Sequence, residues 1–210
     1  MITITASSSG GDYEVAPAGV FLARCYQMVD IGTHTFNFMG KDRDLRKVYL
    51  FWELLKDSNG QPVDGTPTVM GSYTLSMNKK SKLRPLLEQW RGKPFTDQEA
   101  SQFNLTTLLD KYCTVQIVHT ESGDRTYANV NTIMATQDKA PGVRPIVAFS
   151  VSDPDGTVLG ELPEWLQKKI EASQEYQKMM AEGEAPQVEA VQAAAAQTNN
   201  NDVNLADLPF

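Results

Sequence analysis

The run from Lys47 to Leu55 constrains the fold most. Val48, Leu50, Trp52 and Leu54 point one way, and Tyr49, Phe51 and Glu53 the other, the period of two that a β-strand imposes. Similar runs recur at 20–30, at 68–77 through Val69, Tyr73, Leu75 and Met77, at 111–119 with Cys113, Val115 and Ile117 on one face, and at 125–134. A further extended piece runs from Ile146 to Val151. Asp57-Ser58-Asn59-Gly60 and Gly65-Thr66-Pro67 supply turns, and Glu121-Ser122-Gly123-Asp124 joins the fourth and fifth strands as a hairpin. Residues 32–45 read as a polar, Gly-containing loop that holds Phe36 and Phe38.

Between the third and fourth strands the period changes. Leu83, Leu86, Leu87 and Trp90 follow helical spacing, and Gly92 closes that helix. Thr96-Asp97-Gln98-Glu99 has the form of a capping box, and Leu105, Leu108 and Leu109 continue in a small packed turn. Leu162 to Met180 reads as one charged helix begun by Pro163. Three strands, a helical insertion and a two-stranded hairpin make up the order of a mainly β, five-stranded OB-type Greek-key barrel. Other small barrels and an α+β sandwich are compatible with it. The expected organisation is a flexible N-terminus over 1–12, the OB-type domain over 13–151, a linker and charged helix over 152–182, and a disordered acidic tail over 183–210, where Ala, Gln and Asn leave too little apolar surface to offset the entropy of ordering.

The net charge of −7 argues at first against a nucleic-acid partner, but it is unevenly spread. Residues 1–152 carry 16 basic and 15 acidic side chains, and 153–210 carry 3 and 11. Within 41–93 there are 11 basic and 6 acidic residues. A basic segment joined to an acidic tail is the pattern of a nucleic-acid binder with a solvated extension. Binding a single strand requires cations for the phosphates and flat side chains on which bases stack. Two segments combine them: Phe36, Phe38, Lys41, Arg43, Arg46, Lys47 and Tyr49 in the first, and Tyr73, Lys79, Lys80, Lys82, Arg84, Arg91 and Lys93 in the second. Trp52 and Trp90 lie on apolar faces and read as core; Tyr49, opposite Trp52, is the better stacking candidate. Asp42 and Asp44 lie beside Arg43 and Lys47 in sequence, where they would neutralise them.

Catalysis is not expected. His34 and His119 have no metal-type neighbour, and H-E-x-x-H, C-x-x-C and Walker A sequences are missing. Neither a metal nor a cofactor is expected. Cys25 and Cys113 each sit in an apolar run and read as buried free thiols of a reducing cytosol. No apolar stretch is long enough to cross a bilayer, and the N-terminus has no secretory pattern, so a cytoplasmic protein without a membrane partner is expected.

The C-terminus is the most specific signal. An apolar tip, Leu208-Pro209-Phe210, carries the terminal carboxylate with Asp207 before it. Such a tip can dock in a partner's apolar pocket beside a basic residue. Asp207-Leu208-Pro209-Phe210 resembles the acidic tip of bacterial-type single-stranded DNA-binding proteins. Trp90-Arg91-Gly92-Lys93-Pro94-Phe95 and Tyr73-Thr74-Leu75-Ser76 are similar to segments of phage-encoded members. Two departures stand out: only Asp202 and Asp207 are acidic near the tip, and the helical insertion is longer than a minimal OB domain needs. The resemblance implies an OB fold, binding of single-stranded DNA during phage DNA replication and recombination in the host cytoplasm, and recruitment of replication or recombination proteins by the tip. Homo-oligomers are compatible with it. The alternative is a phage structural or assembly protein with a β-rich body and no nucleic-acid role.

Overall fold

The computed structural model describes residues 15–123 and 125–183. The strands are β1 (Gly19–Phe38), β2 (Lys41–Asp57), β3 (Thr68–Thr74), β4 (Tyr112–Ser122), β5 (Arg125–Met134) and β6 (Val147–Ser150). Between β3 and β4 lie α1 (Leu83–Arg91), α2 (Asp97–Gln102) and a 3₁₀ turn, Leu105–Leu108; after β6 come α3 (Gly156–Glu161), α4 (Glu164–Glu171) and α5 (Gln174–Glu182). The expected flexible N-terminus, and all of the expected tail beyond Gly183 including its tip, lie outside the described residues.

The protein is mainly β, and the helical insertion falls where its period placed it. Thr96 caps α2 with a reciprocal Glu99 capping box, and Gly92 ends α1 in the left-handed conformation with φ 70°. The strands form one six-stranded sheet in the order β3-β2-β1-β4-β5, with β6 added to β1 in parallel and every other pair antiparallel. The sheet is open: β3 and β5 are edges that approach within 8 Å between Cα atoms without pairing. Three register shifts in β1 against β2, at Leu22/Ala23, Cys25/Gln27 and Asp30/Gly32, let a 20-residue strand bend.

The alternation of β2 separates two cores. Val48, Leu50, Trp52 and Leu54 join Cys25, Cys113, Val115, Ile117, Ile133 and the α1 residues Leu83, Leu87 and Trp90 in the larger one. Tyr49 and Phe51 face the smaller one, which Tyr26, Val29, Phe149, Leu159, Leu166 and Ile170 complete. A strand covered on both sides reads as a nearly continuous apolar run. Cys25 and Cys113 are free and buried, and burial pushes both thiols up.

Two expectations need correction. Residues 32–45 are not a loop: β1 and β2 continue through them and join at the two-residue turn Met39-Gly40, both with positive φ (51° and 75°), as a type I′ hairpin turn requires. The segment Leu162 to Met180 is two helices. The break is at Ser173, fully buried, whose side chain caps α5 by accepting from the Tyr176 N–H. Pro163 stands where expected, as the N-cap of α4. No described helix is long and apolar enough to cross a membrane.

Candidate nucleic-acid interface

Beyond Gly32 and Lys47 the strands β1 and β2 pair only with each other, from Thr33↔Arg46 to Phe38↔Lys41. Directly opposed residues share a face of such a ribbon. Phe36 opposes Arg43 and Phe38 opposes Lys41 on one face; Thr35 opposes Asp44 and Asn37 opposes Asp42 on the other. The period of two therefore sorts the ribbon chemically. His34, Phe36, Phe38, Lys41, Arg43 and Lys47 lie on one side, and the carboxylates on the other.

The sorting answers the question of neutralisation. Asp42 accepts from Asn37 (2.8 Å) and Asp44 from Thr35 (2.7 Å), both on the acidic face. The Asp44 carboxyl is held below its ordinary range by Thr35 and by Gln174. Among the described residues Lys41, Arg43 and Lys47 form no ion pair. They associate instead with rings: Arg43 Cζ lies 5.7 Å from the Phe38 centroid and Lys47 Nζ 5.2 Å from that of Phe36. Phe36 and Phe38 are 41% and 59% exposed, and Met39 at the tip is 89% exposed.

The second basic segment meets this face at one point. Lys47 pairs with Thr74 of β3 and donates to its hydroxyl at 3.1 Å. Partial burial lowers the pKa of the Lys47 ammonium, and the charge of Lys82 lowers it further. Lys80, Lys82 and Lys93 are exposed, and Lys79 forms a surface ion pair with Asp97 (3.2 Å).

Five residues that the sequence singled out for nucleic acid are committed elsewhere. Tyr49 is buried beneath α4, its ring 5.9 Å from that of Trp165, because the helices that follow β6 cover the face opposite Trp52. Tyr73 is buried in the larger core. Arg46 is taken up by Asp30 and the Ser152 hydroxyl. Arg84 is buried, pairing with Glu88 (3.0 Å) and donating to the Phe95 carbonyl (2.6 Å). Arg91 pairs with Glu99 (3.0 Å) and lies 4.1 Å over the Phe95 ring. Trp52 and Trp90 are core, in contact at 5.9 Å. Met39 and His34 are additions. The Thr–aromatic alternation from Thr33 to Phe38 followed by Met39-Gly40 is the signal that would have found them. Asp207, Leu208, Pro209 and Phe210 lie outside the described residues.

Among the described residues no three His, Cys, Asp or Glu side chains gather where they could hold a metal ion. No family model matches the chain, and no curated protein matches it.

Proposed function

We propose that the chain binds single-stranded DNA without strong sequence preference on the aromatic, cationic face of the β1–β2 hairpin, as a non-enzymatic binding protein. The observation that carries this is the sorting of the ribbon. Two exposed phenylalanines and three cations free of carboxylates share one face, while both aspartates of the ribbon point away from it. Stacked bases would engage Phe36 and Phe38, and phosphates would engage Lys41, Arg43 and Lys47 and continue toward Lys82 and Lys80. The body is then an OB-type barrel left unbonded between β3 and β5. The order β3-β2-β1-β4-β5, the approach of its two edges and the helical insertion between β3 and β4 support that assignment. Recruitment of replication or recombination proteins falls to the tip Asp207-Leu208-Pro209-Phe210, in keeping with its resemblance to the acidic tip of bacterial-type single-stranded DNA-binding proteins.

The test is titration of labelled oligo-dT followed by anisotropy. Tryptophan emission is a poor reporter because Trp52 and Trp90 are buried in the core and the exposed Trp165 sits on α4 against Tyr49, not on the ribbon. Binding at low salt that weakens as salt is added supports the proposal. No binding at low salt defeats it, and a large oligomer in light scattering would then favour an assembly role. Matched DNA and RNA strands distinguish the two nucleic acids.

A further inference from the structure

The acidic face of the ribbon is not idle, because α5 holds it. Glu175 Oε2 accepts from the Thr33 N–H at 2.7 Å, and its Oε1 accepts from the Thr33 hydroxyl at 2.6 Å. Arg46, which opposes Thr33, has Nη1 4.0 Å from Glu175 Oε1. Gln174 donates to the Thr35 hydroxyl at 3.4 Å. These contacts fall on the first residues of the ribbon beyond the body of the sheet. Just before them Gly32 lets α5 approach: a Cβ there would meet Ser173 Cβ at 2.5 Å, and φ is +79°.

The rest of α5 is weakly held. It has no buried residue, and only the partly buried Tyr176 reaches the smaller core. Its docking is therefore largely a polar clamp on the root of the ribbon. A two-stranded ribbon is marginal by itself in water, so a clamp on its root reduces the ordering that a ligand must impose on it. The clamp leaves the Phe36 and Phe38 face open, so both can be engaged together.

We propose that α5 is a strap whose docking sets the nucleic-acid affinity of the hairpin, with Glu175 as the positioning residue; this rests on the hairpin being the single-strand site. Linkage makes the coupling reciprocal: if docked α5 strengthens binding, bound DNA strengthens the docking of α5. That reciprocity separates the proposal from a merely structural role for Glu175.

The experiment uses the full chain and oligo-dT, with affinity by anisotropy and hydrogen exchange of the amides of 174–182 with and without the oligonucleotide. In the unsubstituted protein, dT slows exchange in α5. E175A weakens dT binding about fivefold or more and removes that protection, with little change in the melting midpoint. E175Q keeps one oxygen acceptor and falls between. T33V removes only the hydroxyl and gives the same readout should E175A fail to fold. Protection of α5 that does not respond to bound dT, or E175A binding like the unsubstituted chain, overturns the strap. Failure of the unsubstituted chain to bind dT overturns the single-strand site itself, and the strap with it.

Discussion

Arg24 and Glu53 form an ion pair of 2.6 Å across β1 and β2 with both side chains buried. The second Glu53 oxygen accepts from the N–H groups of Val143 (3.2 Å) and Arg144 (3.0 Å), while Arg24 donates to the Arg144 carbonyl (2.6 Å) and to Asp110 (2.8 Å). The pair thus fastens the connection between β5 and β6 to the back of the sheet. Removing Glu53 leaves the buried Arg24 guanidinium with only the exposed Asp110 carboxylate as a charged partner, so E53A is expected to destabilise the protein by about 3 kcal/mol, the lower end for a broken buried pair. The double variant R24M/E53L should recover only part of this, because the partly buried N–H groups of Val143 and Arg144 still lose their acceptor. Urea unfolding of the single and double variants checks both points.

Gly142 belongs to the same fastening. A Cβ at that position would lie 1.9 Å from Arg24 Cζ and 2.2 Å from its Nε. The guanidinium cannot yield, because its donors are bound to Glu53, Asp110 and Arg144. Gly142→Ala is therefore expected to cost about 1–3 kcal/mol as an overpacked site. Hydrogen exchange should show the loss concentrated in the connection that precedes β6, and a stability equal to that of the unsubstituted chain would refute the account.

Acid should weaken the helical insertion through Glu99. Its carboxylate accepts from the Thr96 N–H at 2.8 Å and from Arg91 at 3.0 Å, and these pull its pKa from 4.5 down to about 2, the Thr96 bond being the larger cause. A depressed carboxyl stabilises the fold while charged. That stability is fully present above about pH 4.5 and is lost as pH falls toward 2. The stability difference between the unsubstituted protein and E99Q should be constant above pH 4.5 and shrink below it, as chemical denaturation at stepped pH would show. A difference that grows on acidification contradicts the assignment.

Local chemistry was legible in the sequence, and distant commitments were not. The capping box at Thr96, the left-handed Gly92 and the alternation of Val48 to Leu54 are each specified by residues close in the chain. Tyr49 reads as free in the sequence because its cover, Trp165 on α4, lies more than a hundred residues away. Arg46 reads as a free cation for the same reason: the Ser152 hydroxyl that binds it comes close only on folding. Arg84 is different, since its partner Glu88 stands one turn along the same helix, within reach of the sequence. The hairpin at 33–46 was hidden by polarity. Its Thr, Asn and Asp residues suggest a loop, yet they form one face of a ribbon whose other face holds Phe36, Phe38 and Arg43.

That ribbon makes a quantitative prediction about salt. Neutralising one phosphate of a single strand contributes roughly 0.7 to the slope of log affinity against log salt. If Lys41 and Arg43 each engage a phosphate, K41A/R43A should flatten the slope by about 1.4. F36A/F38A should leave the slope unchanged and weaken binding at every salt concentration, by about 1–3 kcal/mol for each lost stack. R46A offers the contrast. Arg46 is committed to Asp30 and Ser152 and lies on the opposite face from Phe36, so its removal should lower stability without changing the slope. Identical slopes for R46A and K41A/R43A would mean that phosphates do not distinguish the two faces, and the sorting of the ribbon would have no bearing on binding.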